Sequence, residues 1–276
     1  MRGKSIALAV AVAFGFMGCG PPEPPEEVPV LTPEPAGAPS ALAQGRLTCL
    51  GNNEAPIPAG SNLTLPGWVR TFADRTNTSG VQPSARADVI NPEGVSLGVA
   101  FSDSANGRVA VTVPIPMTGF TGHVLVTSDG FQDVNLYSSR PYATTGYAAW
   151  VFLLTQAELD TAATEAAETL DPSLGVLVGS VHDCDIFGIE NAVVRVANDT
   201  AAVVYFDDFA LAPERTFTDA SGRFAVANVE PGSVTVEAFG RIEEGGPLLL
   251  LSRADITVVG GAMTAVDLQP RVGATR

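Results

Sequence analysis

The feature that most constrains this chain is an internal repeat. The run Phe101-Ser102-Asp103-Ser104-Ala105-Asn106-Gly107-Arg108-Val109-Ala110-Val111 reads like Phe217-Thr218-Asp219-Ala220-Ser221-Gly222-Arg223-Phe224-Ala225-Val226. Upstream, Gly67-Trp68-Val69 matches Gly179-Ser180-Val181, and Ala85, Ala87 and Val89 keep the parity of Ala192, Val194 and Val196. Downstream, Gly122-His123-Val124-Leu125-Val126 matches Gly232-Ser233-Val234-Thr235-Val236. Matches kept in one order mark two copies of one structural unit. The repeated Asp and Gly predict a hairpin in each copy: a strand ends, a glycine turns the chain, and an alternating strand leaves.

Each copy is a series of short segments of period two separated by turns, the pattern of strands with one face buried and one wet. The fold class expected is mainly β: two tandem antiparallel β-sandwiches joined by one short helix. The first spans 46–154 and the second 174–270. The second is expected to close with a hairpin, Ile256 to Val259, Gly260-Gly261, then Ala262 to Leu268. It also carries an insertion of about nine residues before Phe217, read as a loop holding Tyr205, Phe206 and Phe209. The joining helix occupies 155–173. Thr155-Gln156-Ala157-Glu158 is a capping box, Leu159, Ala163, Ala166 and Leu170 follow at helical spacing, and Asp171-Pro172 stops it.

The copies are preceded by an address. Arg2 and Lys4 lead an apolar run from Ile6 to Met17. Twelve apolar residues fall short of the roughly 20 that cross a bilayer, so 1–18 reads as a signal peptide. Phe16-Met17-Gly18-Cys19 resembles the lipobox of bacterial lipoproteins. The resemblance implies cleavage before Cys19 and lipidation of its sulfur. Several acyl chains give a stable anchor, since each buried CH₂ contributes about 0.8 kcal/mol. Gly20 after the cysteine points to the outer membrane, on its periplasmic or surface face. The rival reading is an ordinary secreted protein with a chance cysteine near the cleavage site. Residues 19–45, Pro- and Glu-rich, are expected to be an extended spacer that buries little. Residues 271–276 form a tail.

The second copy resembles a carboxypeptidase regulatory-like domain, a transthyretin-like sandwich. The matching residues are Gly179-Ser180-Val181-His182-Asp183, Ala192 to Val196, Thr218-Asp219-Ala220-Ser221-Gly222-Arg223-Phe224 and Val229-Glu230-Pro231-Gly232. The first copy departs from the pattern, with Thr71 for the Asp, Val109 for the Phe and Pro116-Met117-Thr118-Gly119 for the Pro-Gly turn. The resemblance implies an accessory module in an envelope protein, without the peptidase itself.

The chemistry-bearing residues are few. The net charge of −15 argues against nucleic acid as a partner. His123 and His182, the only histidines, read as structural and surface-facing, and no nucleophile–base–acid set can be assembled around them. We assign no catalytic residue, no metal ligand and no cofactor, and read the chain as non-enzymatic. Asp183, Asp185, Asp207, Asp208 and Asp219 lack calcium-loop spacing, and turn chemistry accounts for Asp183 and Asp219. With Cys19 lipidated, Cys49 and Cys184 remain, either as a disulfide in an oxidising compartment or as two buried thiols. Trp68, Tyr205, Phe206 and Phe209 are candidates for a ligand platform that stacks on sugars, against the alternative that they pack internally. The functional expectation is a membrane-anchored binding or structural scaffold whose partner is an envelope protein or a polysaccharide. A carbohydrate- or peptidoglycan-binding module is the alternative, and a hydrolase with an unrecognised site a second one.

Overall fold

The computed structural model describes residues 29–50, 62–72, 84–103, 106–114, 119–142, 149–197, 202–208 and 210–270. Cys19, Phe209, the signal peptide and the tail lie outside them.

The chain is mainly β, with one helix among the described residues. Seven strands come first: β1 (Asn62–Thr71), β2 (Arg86–Ile90), β3 (Ser96–Phe101), β4 (Arg108–Pro114), β5 (His123–Thr127), β6 (Val134–Ser138) and β7 (Ala149–Leu153). Helix α1 (Gln156–Glu165) follows. Eight strands come after it: β8 (Gly175–Val181), β9 (Val193–Ala197), β10 (Val203–Asp207), β11 (Ala210–Ala212), β12 (Arg223–Val229), β13 (Gly232–Gly240), β14 (Leu249–Val258) and β15 (Met263–Leu268).

The repeat is visible in hydrogen bonds. Ala85 N–H donates to Ser102 Oγ at 3.0 Å and Ser102 N–H to the Ala85 carbonyl at 2.8 Å; Ala192 and Thr218 make the same exchange, each bond at 2.9 Å. Val69 N–H reaches the Gly107 carbonyl at 2.9 Å, and Val181 N–H the Gly222 carbonyl at 2.8 Å. Gly107 has φ +69° and Gly222 φ +70°. A Cβ on Gly107 would sit 2.4 Å from the Val69 carbonyl oxygen, and one on Gly222 2.2 Å from that of Val181. Only glycine fits such an approach at positive φ.

These corners are not hairpins, however. In the first copy β3 pairs with β2 while β4 pairs with β1, so the chain crosses between sheets at the Asp–Gly corner; in the second, β10 lies between β11 and β12. The expected closing hairpin fails likewise: β14 pairs with β13, and β15 with β8 and β6. A glycine turn sets the reversal but not the partner of the strand that leaves it. The strands are not all antiparallel either. β1 and β7, β8 and β15, and β6 and β15 are parallel pairs.

The last pair decides the architecture. β15 lies between β8 and β6, so one nine-stranded sheet, β11-β10-β12-β8-β15-β6-β5-β2-β3, takes strands from both copies. Two three-stranded sheets, β4-β1-β7 and β14-β13-β9, complete the set. Neighbouring side chains on β15 enter different cores: Met263 joins Leu63, Val69, Val89, Val126 and Leu153, whereas Val266 and Leu268 join Leu177, Phe224, Val236 and Ile256. Successive residues of a strand point to opposite faces. The two cores therefore lie on opposite faces of the shared sheet.

Two boundaries move. Thr155 caps α1 as expected, with Glu158 N–H on Thr155 Oγ1 at 3.3 Å and Thr155 N–H on the Glu158 carboxylate at 2.8 Å. The helix ends at Glu165, well before Pro172, because Ala167 takes φ +59°. The spacer expectation is also corrected over residues 29–45. Leu31 is buried with Val193, Phe239, Leu248 and Leu250, and its N–H bonds the Leu248 carbonyl at 3.0 Å. Farther on, Ala43 N–H bonds the Arg241 carbonyl, Gln44 N–H that of Glu190, and Arg241 pairs with Glu34. Three apolar side chains, Leu31, Ala38 and Ala43, bind this strap to the second core region. A reading by average composition hides them among the prolines.

Candidate functional site

Because the two three-stranded sheets cover opposite faces, each leaves half of one face of the long sheet uncovered. In the second half this face forms the floor of a trough of about 1470 Å³, walled on one side by α1 and β7. One row of the floor runs Val204, Ala225, Val178, Ala265 and Leu136, directly paired across β10, β12, β8, β15 and β6. Val134, Val176 and Met263 extend it on one side, and Leu154, Leu159 and Ala163 form the wall. Both parities of β8 are apolar, since Leu177 and Val181 fill the second core while Val176 and Val178 face the trough. Strands that must be apolar on both faces read this way.

The other end of the floor is polar. Arg223, Ser180, Asp267 and Ser138 continue across the same strands, and His182 stands at the end of β8. His182 Nδ1 lies 2.6 Å from Asp267 Oδ1, and Gln269 Nε2 donates to Asp267 Oδ2 at 2.6 Å. Arg140 donates to Gln269 Oε1 at 3.3 Å, while Ser139 N–H bonds the Asp267 carbonyl at 2.8 Å. This network joins the end of β6 to the end of β15 and so crosses the junction between the copies. Burial pushes the Asp267 carboxyl up to about 7, against the opposing pull of the Gln269 hydrogen bond and the Arg140 charge. Burial pushes His182 down, with Asp183 acting the other way. His182 is structural, as expected from the sequence, but only partly exposed, because its ring contacts the buried Asp267 carboxylate. His123 stacks on Tyr137 with centroids 4.9 Å apart, and burial lowers its pKa also.

Arg223 donates to the Asp208 carbonyl at 2.9 Å, and burial lowers its pKa while Asp208 and Asp219 raise it. Acidic residues outnumber basic ones around the trough: Glu158, Glu165, Glu168, Asp207, Asp208 and Asp267 against Arg70 and Arg223.

The residues singled out from the sequence scatter. Cys49 and Cys184 are bonded, with Cα atoms 5.7 Å apart. Trp68 lies on β1, half-buried on the face opposite the buried Val69, in the separate sheet β4-β1-β7. Tyr205 belongs to the second core at 3% exposure, where its hydroxyl accepts the Val194 N–H at 2.9 Å and burial pushes its pKa up to about 12. The supposed loop is strand β10 and the start of β11, and the alternation of a strand turns Tyr205 inward and Phe206 outward. Of the three that are described, Phe206 alone lines the trough. Trp68, Tyr205 and Phe206 therefore do not form one platform, and Phe209 lies outside the described residues.

Asp183 and Asp219 do what turn chemistry implied. Asp183 Oδ1 accepts the N–H groups of Asp185 at 2.9 Å and Phe187 at 3.0 Å, and Oδ2 accepts Arg46 N–H at 2.8 Å. Asp219 accepts Ser221 N–H at 2.9 Å and Asp208 N–H at 2.6 Å. The trough itself has no motif in the sequence, although the apolar outward positions of β8 are a signal for it.

No family model matches the chain, and no curated relative matches it. Among solved structures, a chain titled "The Bacillus anthracis TIE protein" is similar at 11% identity and a TM-score of 0.24, over 76% of this chain. This chain spans 34% of that protein's length.

Proposed function

We propose that this protein is a lipid-anchored envelope protein whose body is a non-catalytic binding scaffold built from two transthyretin-like sandwiches. The observation that carries the reading is the strand exchange at the junction. β15 pairs in parallel with both β8 and β6, so the duplicated units form one body and not two beads on a string. A surface on such a body keeps a fixed orientation to the point where the chain leaves it. The strap and the Cys49–Cys184 bond support the same role, because they fasten residues 29–50 to the second half. Force or diffusion acting through the tether is then delivered to the folded body directly. The sequence around Cys19 supplies the anchor and the outer-membrane address. The sugar-platform alternative draws no support from Tyr205, which is a core residue.

Metabolic labelling with palmitate tests the anchor. The expected result is label on the wild-type chain in the membrane fraction, and a Cys19→Ser chain that is unlabelled and released. An unlabelled wild-type chain recovered from the medium would overturn the envelope assignment.

A further inference from the structure

The trough has an internal control, because the duplication provides the same strand face twice. On the first copy, the outward positions of β1 and β4 are Thr64, Pro66, Ala110 and Thr112, and the two threonine hydroxyls bond each other at 2.9 Å. Their counterparts on the second copy are Val176, Val178, Ala225 and Ala227, all facing the trough. The threonines at two of these positions give way to Val176 and Ala227; Val176 and Val178 pack in part against the edge of the first core, whereas Val204, Ala225 and Ala227 continue the apolar face beyond it. The second copy thus presents an apolar floor, and among the described residues α1 covers only one side of it.

Five directly paired strands give the floor a length of about 19 Å at roughly 4.8 Å per strand. That matches three turns of α-helix, about 16 Å long. The small side chains of Ala225 and Ala265, on either side of Val178 in the row, leave depth for a second layer. The rim decides the sign of the partner. Of the carboxylates that line the trough, Asp267 is buried and Asp207 pairs with Arg215 at 2.9 Å, which leaves Glu158, Glu165, Glu168 and Asp208 against Arg70 and Arg223, the latter engaged with the Asp208 carbonyl. Glu165, Glu168 and Asp208 stand at the edges, where a carboxylate meets solvent and a bound ligand's flank. An apolar floor between acidic edges complements an element that is apolar on one face and basic on its flanks.

We propose that the trough is the docking site for a cationic amphipathic helix of a partner protein. The proposal rests on reading the body as a binding scaffold and names its partner's chemistry. It does not depend on the anchor, because the exported Cys19→Ser chain is soluble whether or not the wild type is lipidated.

The test measures binding of labelled 18-residue helical peptides to that chain by fluorescence anisotropy near 0.15 M salt. One peptide has a leucine face and lysine flanks, the second a leucine face and glutamate flanks, and the third the same lysines with serine in place of leucine. The expected result is saturable binding of the leucine–lysine peptide, at least tenfold tighter than either of the others. Ala225→Arg, beside Val178 on the floor, should weaken it at least tenfold, and Ala110→Arg, its counterpart on the first copy, should not. The two variants change the net charge equally, so the difference separates docking from general attraction to an acidic protein. Should Ala225→Arg fail to fold, Glu165→Lys with Glu168→Lys on the exposed edge should weaken the leucine–lysine peptide and strengthen the leucine–glutamate one. Overturning results are no saturable binding, equal binding of the lysine and glutamate peptides, or equal effects of Ala225→Arg and Ala110→Arg. Palmitate labelling of the wild type, read separately, reports on the anchor alone.

Discussion

Replacing Gly222 with alanine probes the corner that both copies share. Gly222 has φ +70°, and a Cβ there would lie 2.2 Å from the Val181 carbonyl oxygen. The left-handed conformation alone costs an alanine about 1–2 kcal/mol. The clash adds to this, because the atom met is backbone and cannot rotate away. Opening the corner by about 1 Å would break the 2.8 Å bond from Val181 N–H to the Gly222 carbonyl and loosen that from Ile189 N–H to the Val181 carbonyl, also 2.8 Å. Two such bonds contribute about 0.5–1.5 kcal/mol each. The total is about 2–5 kcal/mol, a large part of the 5–15 kcal/mol typical of a folded protein. Gly130 is the control, since it has φ +83° and a Cβ added there would meet nothing within 4 Å. Gly130→Ala should therefore cost only about 1–2 kcal/mol. Urea unfolding with the disulfide intact, comparing midpoints at equal slopes, reads both. Equal losses for the two variants would refute the close-approach argument and leave only conformational strain.

Three further outcomes follow from the geometry. Cys49→Ser with Cys184→Ser should lower stability by about 4–5 kcal/mol in the chain-entropy account, given a separation of 135 residues, and mass analysis of the alkylated wild type should show no free thiol at these positions before reduction. Asp267 binds its proton more tightly folded than unfolded, between an ordinary carboxyl value of 3.8 and about 7, so stability it contributes below that window is lost as pH rises through it; Asp267→Asn should flatten that fall in a pH series of thermal melts. Leu31→Ala should cost about 2–5 kcal/mol of the contacts holding the strap, and limited proteolysis should then cut within residues 32–42 faster than in the wild type; an unchanged cleavage rate would show that Arg241 and the backbone bonds hold the strap without it.

Local chemistry was written plainly in the chain. The parity of Ala85, Ala87 and Val89 against Ala192, Val194 and Val196, the Asp–Gly corners, the Thr155 capping box and the turn bonds of Asp183 and Asp219 all involve residues within a few positions of each other or a repeated pattern. For such features period, φ preference and hydrogen-bonding inventory are sufficient. Tyr205 and Phe206 show where this ends. Their neighbours suggested a loop, and only the pairing of β10 with β12 sent one ring into the core and the other to the trough.

What the amino-acid order determined by itself was the β character of most segments, the duplication, and the residues able to turn, cap or bridge. What the tertiary structure decided was partnership. A strand carries hydrogen-bonding groups on both edges, and nothing in Met263–Leu268 specifies that one edge meets β8 and the other meets β6. That choice put the two cores on opposite faces of a common sheet and left the trough open beside α1. It also buried Asp267 next to His182, because side chains at a junction are desolvated by residues far away in the chain. Pairing between strands so distant in the chain is settled by the summed burial of both copies, an energy that no short window of sequence contains.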